Sequence, residues 1–255
     1  MISGKQAKFI KSLQYKKYRK LEGAFVVEGK VSVLEALNSE LNLRTVYCTP
    51  SFQNEHLKEG LFNELKIEEV SERDLNKVGN LKSNNSAIAV VDLPDSTEHI
   101  DASETVLVLD NINDPGNLGT IMRIADWYGI NQLVCSPDTT DAFSPKCISA
   151  SKGSFTRVRV VDYDLPEFLN SYPRDIYGAL LSGQDVHKIE FRSPCAIVIG
   201  NESHGIRAEL ISYITEPITI PRYGGAESLN AAIATAIICD VYRQGATTLR
   251  GFKTP

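Results

Sequence analysis

Three stretches of this chain gather residues able to do chemistry: 111-NINDPGNLGTIMR-123, 199-IGNESHG-205 and 220-IPRYGGAESLN-230. In the first, Asp114-Pro115-Gly116-Asn117 reads as a tight type II turn, which puts Asn117 where a helix N-cap would fall. The helix that follows buries Leu118, Ile121, Met122 and Ala125, and Arg123 lies roughly 140° around from Leu118, so its guanidinium points off the core. A bland use of both residues exists: Asn117 as a cap and Arg123 as the i,i+3 partner of Asp126. In the second stretch Gly200 and Gly205 bracket Glu202, an arrangement that lets backbone N–H and C=O groups face a ligand. His204 reads as a bystander in that loop. In the third, a Gly-Gly turn precedes Glu227, Ser228 and Asn230 at the mouth of a helix. An N-cap role explains one of these polar residues and leaves the others unexplained.

Neither standard nucleotide loop is present. Gly205 is followed by Ile206 and Arg207 rather than Lys-Ser/Thr, and no GxGxxG occurs, which disfavours an NTP site and a dinucleotide site. The stretches instead sit where a parallel sheet binds ligands, at the carboxyl ends of strands. 105-TVLVLD-110 and 195-CAIVIG-200 are near-continuous apolar runs of the kind buried on both faces of such a sheet. 132-QLVC-135, 157-RVRVV-161, 176-IYGALL-181 and 217-PITI-220 supply further strands. A final helix over 229–244 carries Leu229, Ile233, Ile237 and Val241 at steps of four. Its other face is small, with Ala231, Ala234 and Ala236, which suits close approach to the sheet or to a second subunit.

The first 93 residues read as a separate α/β unit. Strands are expected at 24-AFVVEG-29, 43-LRTVYC-48, 66-KIEEV-70 and 86-SAIAVV-91, and helices at 30–40, 53–65 and 71–78, the last opened by Ser71. Residues 94–104, polar and without periodicity, read as the linker to a second unit over 105–246, with a short tail at 247–255.

Hydrophobic residues make up 42% of 255, enough for real cores, and no run of about 18 apolar residues is present to cross a membrane. The basic N-terminus lacks an apolar targeting core, and the five cysteines form no CxxC pair. A cytoplasmic protein with buried reduced thiols and no metal site is expected. Net charge is −5, yet Lys5, Lys8, Lys11, Lys16, Lys17, Arg19 and Lys20 stand in the first 20 residues without one acid. That segment can neutralise phosphates, or it can be a solvated helix face with no partner.

Taken together and in this order, N-x-x-D-P-G-N-L-G-x-x-x-R, I-G-N-E-x-x-G and I-P-x-x-G-x-x-E-S-L-N resemble the three motifs of the SpoU (TrmH-type) branch of the SPOUT RNA methyltransferases. The first unit, with 25-FVVEGKVSVLEAL-37, is similar to the L30e-like substrate-binding domain that precedes this catalytic domain in many members. The resemblance implies an α/β catalytic domain with a parallel sheet and a deep trefoil knot, a homodimer, and S-adenosylmethionine as methyl donor to a ribose 2′-hydroxyl of RNA. It makes Asn117, Arg123, Glu202, Ser228 and Asn230 the catalytic set, with Arg123 on the ribose and its phosphate. It assigns Gly200, Asn201, Gly205, Ile220 and Leu229 to the cofactor. The proton acceptor stays open between Arg123 and a substrate phosphate. Ribosomal RNA of the 23S type is favoured over transfer RNA. A catalytically silent RNA-binding relative would have lost members of the catalytic set, and none is missing here. One departure is Arg222, where the family often has Met beside the cofactor.

Overall fold

The computed structural model describes residues 1–57, 65–94 and 100–250, and the chain divides into two units, one of residues 1–96 with 141–157 and one of 97–140 with 158–255. The first unit opens with α1 (Gly4–Ser12) and α2 (Lys16–Glu22). It continues with β1 (Ala24–Glu28), α3 (Lys30–Leu37), β2 (Leu43–Cys48), α4 (Pro50–His56), β3 (Ile67–Glu69), α5 (Glu72–Val78) and β4 (Ala87–Asp92). Its sheet runs β1-β4-β2-β3, with β4 antiparallel to both neighbours and β3 parallel to β2. The expected strands are all present, and Ser71 caps α5 by accepting from the Asp74 N–H. The helix expected over 53–65 begins earlier, because Thr49 accepts from the Phe52 N–H and Pro50 supplies a preset first turn. Residues 58–64 of that expected helix, 95–99 of the linker and 251–255 of the tail lie outside the described residues.

The second unit holds β5 (Val106–Leu109), α6 (Pro115–Trp127) and β6 (Gln132–Cys135). The chain then contributes α7 (Pro145–Ser151) to the first unit. It returns with β7 (Arg159–Asp162), α8 (Leu165–Ser171), β8 (Ile176–Asp185), β9 (Ala196–Ile199), α9 (Ala208–Ile211), β10 (Glu216–Thr219) and α10 (Ala231–Arg250). Six strands form one sheet, β10-β8-β9-β5-β6-β7, and every pairing is parallel. The apolar runs of β5 and β9 are buried along their whole length, as strands covered on both faces must be. A parallel sheet puts all carboxyl ends on one edge, so the loops after β5, β9 and β10 emerge together.

Two sequence expectations change here. Arg19 is not part of a free basic surface. It is 3% exposed, its Nη2 lies 2.5 Å from Asp141 Oδ2, and its Nη1 donates to the Leu13 carbonyl at 2.8 Å. The segment therefore presents six lysines, with its arginine used inside the first unit to tie α2 to the turn before α7. Asp141→Ala would strand a buried guanidinium, and a loss of roughly 3 kcal/mol is expected. A thermal midpoint equal to that of the wild type would show that the pair carries no weight.

The second change is the start of α10, which begins at Ala231 rather than at 229. The buried stripe of the helix is Ala231, Ala232, Thr235, Ile238, Cys239 and Tyr242. The inner face mixes small residues with Ile238 and Tyr242, and Ala234 and Ala236 are only half-buried beside it. Of the larger apolar stripe, Ile233 is exposed while Ile237 and Val241 are half-buried.

Candidate functional site

The first loop is organised by Asp114 rather than by the turn expected there. Asp114 is the N-cap of α6: its carboxylate accepts from the N–H groups of Gly116 at 2.7 Å and Asn117 at 3.0 Å, and Pro115 occupies the first helical turn. A proline ring lacks the N–H that an N-terminal turn leaves unpaired, so Asp-Pro starts the helix three residues before Asn117. The correction matters chemically. Asn117 is inside the helix with its carboxamide free of capping, and it is used across the fold.

Its Nδ2 donates to the Glu202 carboxylate in a short hydrogen bond, and its Oδ1 accepts from Asn230 Nδ2 at 3.0 Å. Ser228 Oγ donates to the Glu202 carbonyl at 3.3 Å. Asn230 also caps α10, its Oδ1 accepting from Ala232 N at 2.9 Å and Ile233 N at 3.3 Å. Four members of the expected catalytic set thus form one polar network joining all three loops. Arg123 is exposed on α6 and makes no hydrogen bond or ion pair among the described residues. Six residues on from Asn117, it stands about 9 Å further along the helix and roughly 120° around it, outside the network.

The second loop is a closed cradle. Asn201 and Gly205 exchange backbone hydrogen bonds of 3.0 and 2.9 Å. Asn201 Oδ1 accepts from the Ser203 and His204 N–H groups, and its Nδ2 donates to the Asn111 carbonyl at 2.8 Å. Asn111 adopts φ 56°, a left-handed conformation that aims this carbonyl at the loop. A Cβ on Gly200 would stand 2.2 Å from the Gly205 carbonyl carbon, so only glycine fits there. Beside the cradle opens a cavity of about 1080 Å³. Gly200, Asn201, Gly205, Ile220 and Leu229 all line it, and so do Glu202, Ser228, His204 and Arg222. Asn117, Arg123 and Asn230 do not line it.

Sequence reading missed one pair, Asp110 and Arg207. Asp110 is fully buried at the end of β5, where it accepts from the Arg207 backbone N–H at 2.8 Å and from its Nε at 2.6 Å. The pair ties the start of the first loop to the end of the second. The last residue of an apolar run carries no signal of such a contact, because its partner lies 97 residues away.

The thiols take no part. All five cysteines are buried and none is joined in a disulfide. Burial pushes Cys48 up to about 11, Cys195 and Cys239 up to about 12, and Cys147 further still, so each of these stays a protonated thiol.

The chain is similar to known proteins in sequence and fold. The SpoU rRNA Methylase family matches residues 104–240, and an MRM3-like substrate binding domain matches residues 5–89. The chain is 31% identical over 232 residues to the Bacillus subtilis 23S rRNA (guanosine(2553)-2′-O)-methyltransferase RlmP, covering 89% of this chain and 92% of that one. A TrmH-family structure from Porphyromonas gingivalis superposes with a TM-score of 0.87 at 34% identity, covering 96% of this chain and 99% of the other. The AdoMet-bound rRNA methyltransferase of Sinorhizobium meliloti gives 0.85 at 27% identity, covering 96% and 97%. With its three loops gathered on one edge of a parallel sheet, and a family match over more than half its length, this chain belongs to the SpoU rRNA methylase family.

Proposed function

We propose that this protein transfers the methyl group of S-adenosylmethionine to a ribose 2′-hydroxyl of 23S-type ribosomal RNA. The observation that carries this reading is the network of Asn117, Glu202, Asn230 and Ser228 standing beside a cavity lined by the second and third loops. That cavity fits the cofactor. Its volume of about 1080 Å³ holds a ligand of that size, and the absence of a side chain on Gly200 lets the Gly205 backbone close in to form the cradle beside it. Gly200, Asn201, Gly205, Ile220 and Leu229 would hold it, chiefly through main-chain groups, since Ile and Leu offer no polar side chain.

Bound there, S-adenosylmethionine supplies an electrophilic methyl on a positively charged sulfur. The chain must make a weakly acidic hydroxyl attack it. In this proposal Arg123, exposed and without a partner among the described residues, holds the ribose and its phosphate. It also stabilises the negative charge that builds on the 2′-oxygen as its proton passes to an oxygen of that substrate phosphate. Asn117 orients the ribose while Glu202 and Asn230 fix its carboxamide. Alignment of attacking and leaving groups contributes much of the acceleration.

The unit over 1–93 would bind the RNA and the unit over 105–246 would carry the transfer, joined by 94–104. A homodimer belongs to the same proposal, with residues of both subunits shaping each site. The 53% exposed Ile233 on α10 and the 83% exposed Trp127 at the end of α6 support it. A trefoil knot belongs to the same proposal, with the second and third loops lying together in it, and the Ser228–Glu202 hydrogen bond supports that part of the reading. The cytoplasm, where five cysteine thiols stay reduced, is the proposed place of work.

The test is mass spectrometry of nucleosides from ribosomal and transfer RNA of source cells with and without this gene. Loss of one 2′-O-methylnucleoside from the large ribosomal RNA is expected. Loss confined to transfer RNA would overturn the substrate, and no loss in either pool would overturn the activity.

A further inference from the structure

Within the first unit, the corner between α1 and α2 carries an unusual pairing of side chains. Tyr15 is 64% exposed and Tyr18 40% exposed, and their rings meet edge to face with centroids 6.4 Å apart. The same two helices carry Lys8, Lys11, Lys16, Lys17 and Lys20, all exposed. None of these lysines pairs with a carboxylate among the described residues.

The corner is held firmly from beneath. Arg19, nearly buried, donates to Asp141 and to the Leu13 carbonyl, and Leu13 itself is fully buried. α1 is capped at its start by Ser3 and Gln6, each side chain bonding the other's backbone. The two rings and the lysines are therefore displayed on a fixed frame rather than on a fraying end.

We infer that the Tyr15–Tyr18 pair and the lysines of these two helices form a stacking platform for unpaired bases of RNA. The inference rests on the reading of this protein as an RNA methyltransferase and adds which form of RNA the first unit grips. Lysines alone neutralise phosphates of any strand and would not distinguish duplex from single strand. Exposed ring faces do distinguish them, because a base can stack on tyrosine only when its own face is free. An edge-to-face pair leaves one ring with an open outer face, and the lysines of the same helices meet the phosphates that flank the stacked base. An acidic peptide would satisfy the lysines and leave the rings without use. Charge complementarity and the two rings together select single-stranded nucleic acid.

The experiment measures binding of the full-length protein to a fluorescein-labelled 12-nucleotide single-stranded RNA and to a 12-base-pair RNA duplex by anisotropy. Methyl transfer to ribosomal RNA is read on the same preparations. Tyr15→Ala with Tyr18→Ala is expected to weaken single-strand binding roughly tenfold or more and duplex binding less than twofold. Tyr15→Phe with Tyr18→Phe, which keeps both rings, should restore it. Lys16→Ser with Lys20→Ser should weaken both RNAs alike and flatten the salt dependence. Single-strand affinity unchanged in the alanine variant, equal losses on both RNAs, or failure of phenylalanine to restore binding would each overturn the platform. Wild-type protein that binds neither RNA would overturn it too. Methyl transfer in that preparation then shows whether the enzymatic reading stands without the platform or falls with it.

Discussion

Replacing Arg123 with alanine is expected to lower kcat for methyl transfer about a thousandfold while leaving cofactor affinity within twofold. The geometry makes the split sharp. Arg123 is exposed, lies outside the cavity lining and bonds to nothing else described, so its removal disturbs neither the cradle nor the network. In the proposed mechanism it removes the cation that meets the substrate, and a charge that acts only on the transition state shows in kcat. Arg123→Lys should recover part of the loss, since a point charge replaces a planar fork that can grip ribose and phosphate together. Asn117→Ala is expected to cost about a hundredfold in kcat, with a small rise in cofactor Kd. Its carboxamide touches Glu202, which does line the cavity, and Asn230 at the start of α10. Titration calorimetry for the cofactor beside single-turnover transfer to ribosomal RNA checks both. Wild-type turnover by either variant would sink the assignment of roles.

Gly200→Ala should give the complementary result, a folded protein that has lost its cofactor. A methyl group at this position would lie 2.2 Å from the Gly205 carbonyl carbon, 2.3 Å from Ile206 N and 2.4 Å from the Gly205 oxygen. These are backbone atoms, pinned by the two hydrogen bonds between Asn201 and Gly205, so no side-chain rotation relieves the contact. The cradle has to open, and a rise in cofactor Kd of about a hundredfold, near 2.7 kcal/mol, is expected. Gly205 is the control. Its φ of +69° strains any other residue, yet nothing stands within 4 Å of its added carbon. Gly205→Ala should therefore cost about 1–2 kcal/mol of local strain and weaken binding by roughly tenfold. Calorimetry that finds Gly200→Ala binding S-adenosylmethionine as tightly as the wild type would show that the cavity beside this loop is not the cofactor's.

The family's architecture was legible because its signals are local. Val106 to Leu109 and Ala196 to Ile199 are apolar without interruption, which in a short strand means burial on both faces. The inner face of α6 follows from helical periodicity, and the residues expected there are the ones buried. Glycines around Glu202 marked a loop with unusual backbone, as Gly200 and Gly205 show. What the chain could not disclose by itself is every choice made between local alternatives by distant partners. Asp114 and Asn117 are both good caps. The proline between them and the pull of Glu202, 85 residues on, decided that one caps and the other reaches into the site. Arg19 reads as one more cation until Asp141, 122 residues later, buries it. α10 carries apolar residues all around, and only packing decided that Ala231, Ile238 and Tyr242 go inward while Ile233 stays exposed. Asp110 and Arg207 carry no pattern at all until a parallel sheet sets the end of β5 beside the loop after β9. Residue types and short spacings specify elements and their faces, while contacts across scores of residues depend on which elements the sheet makes neighbours.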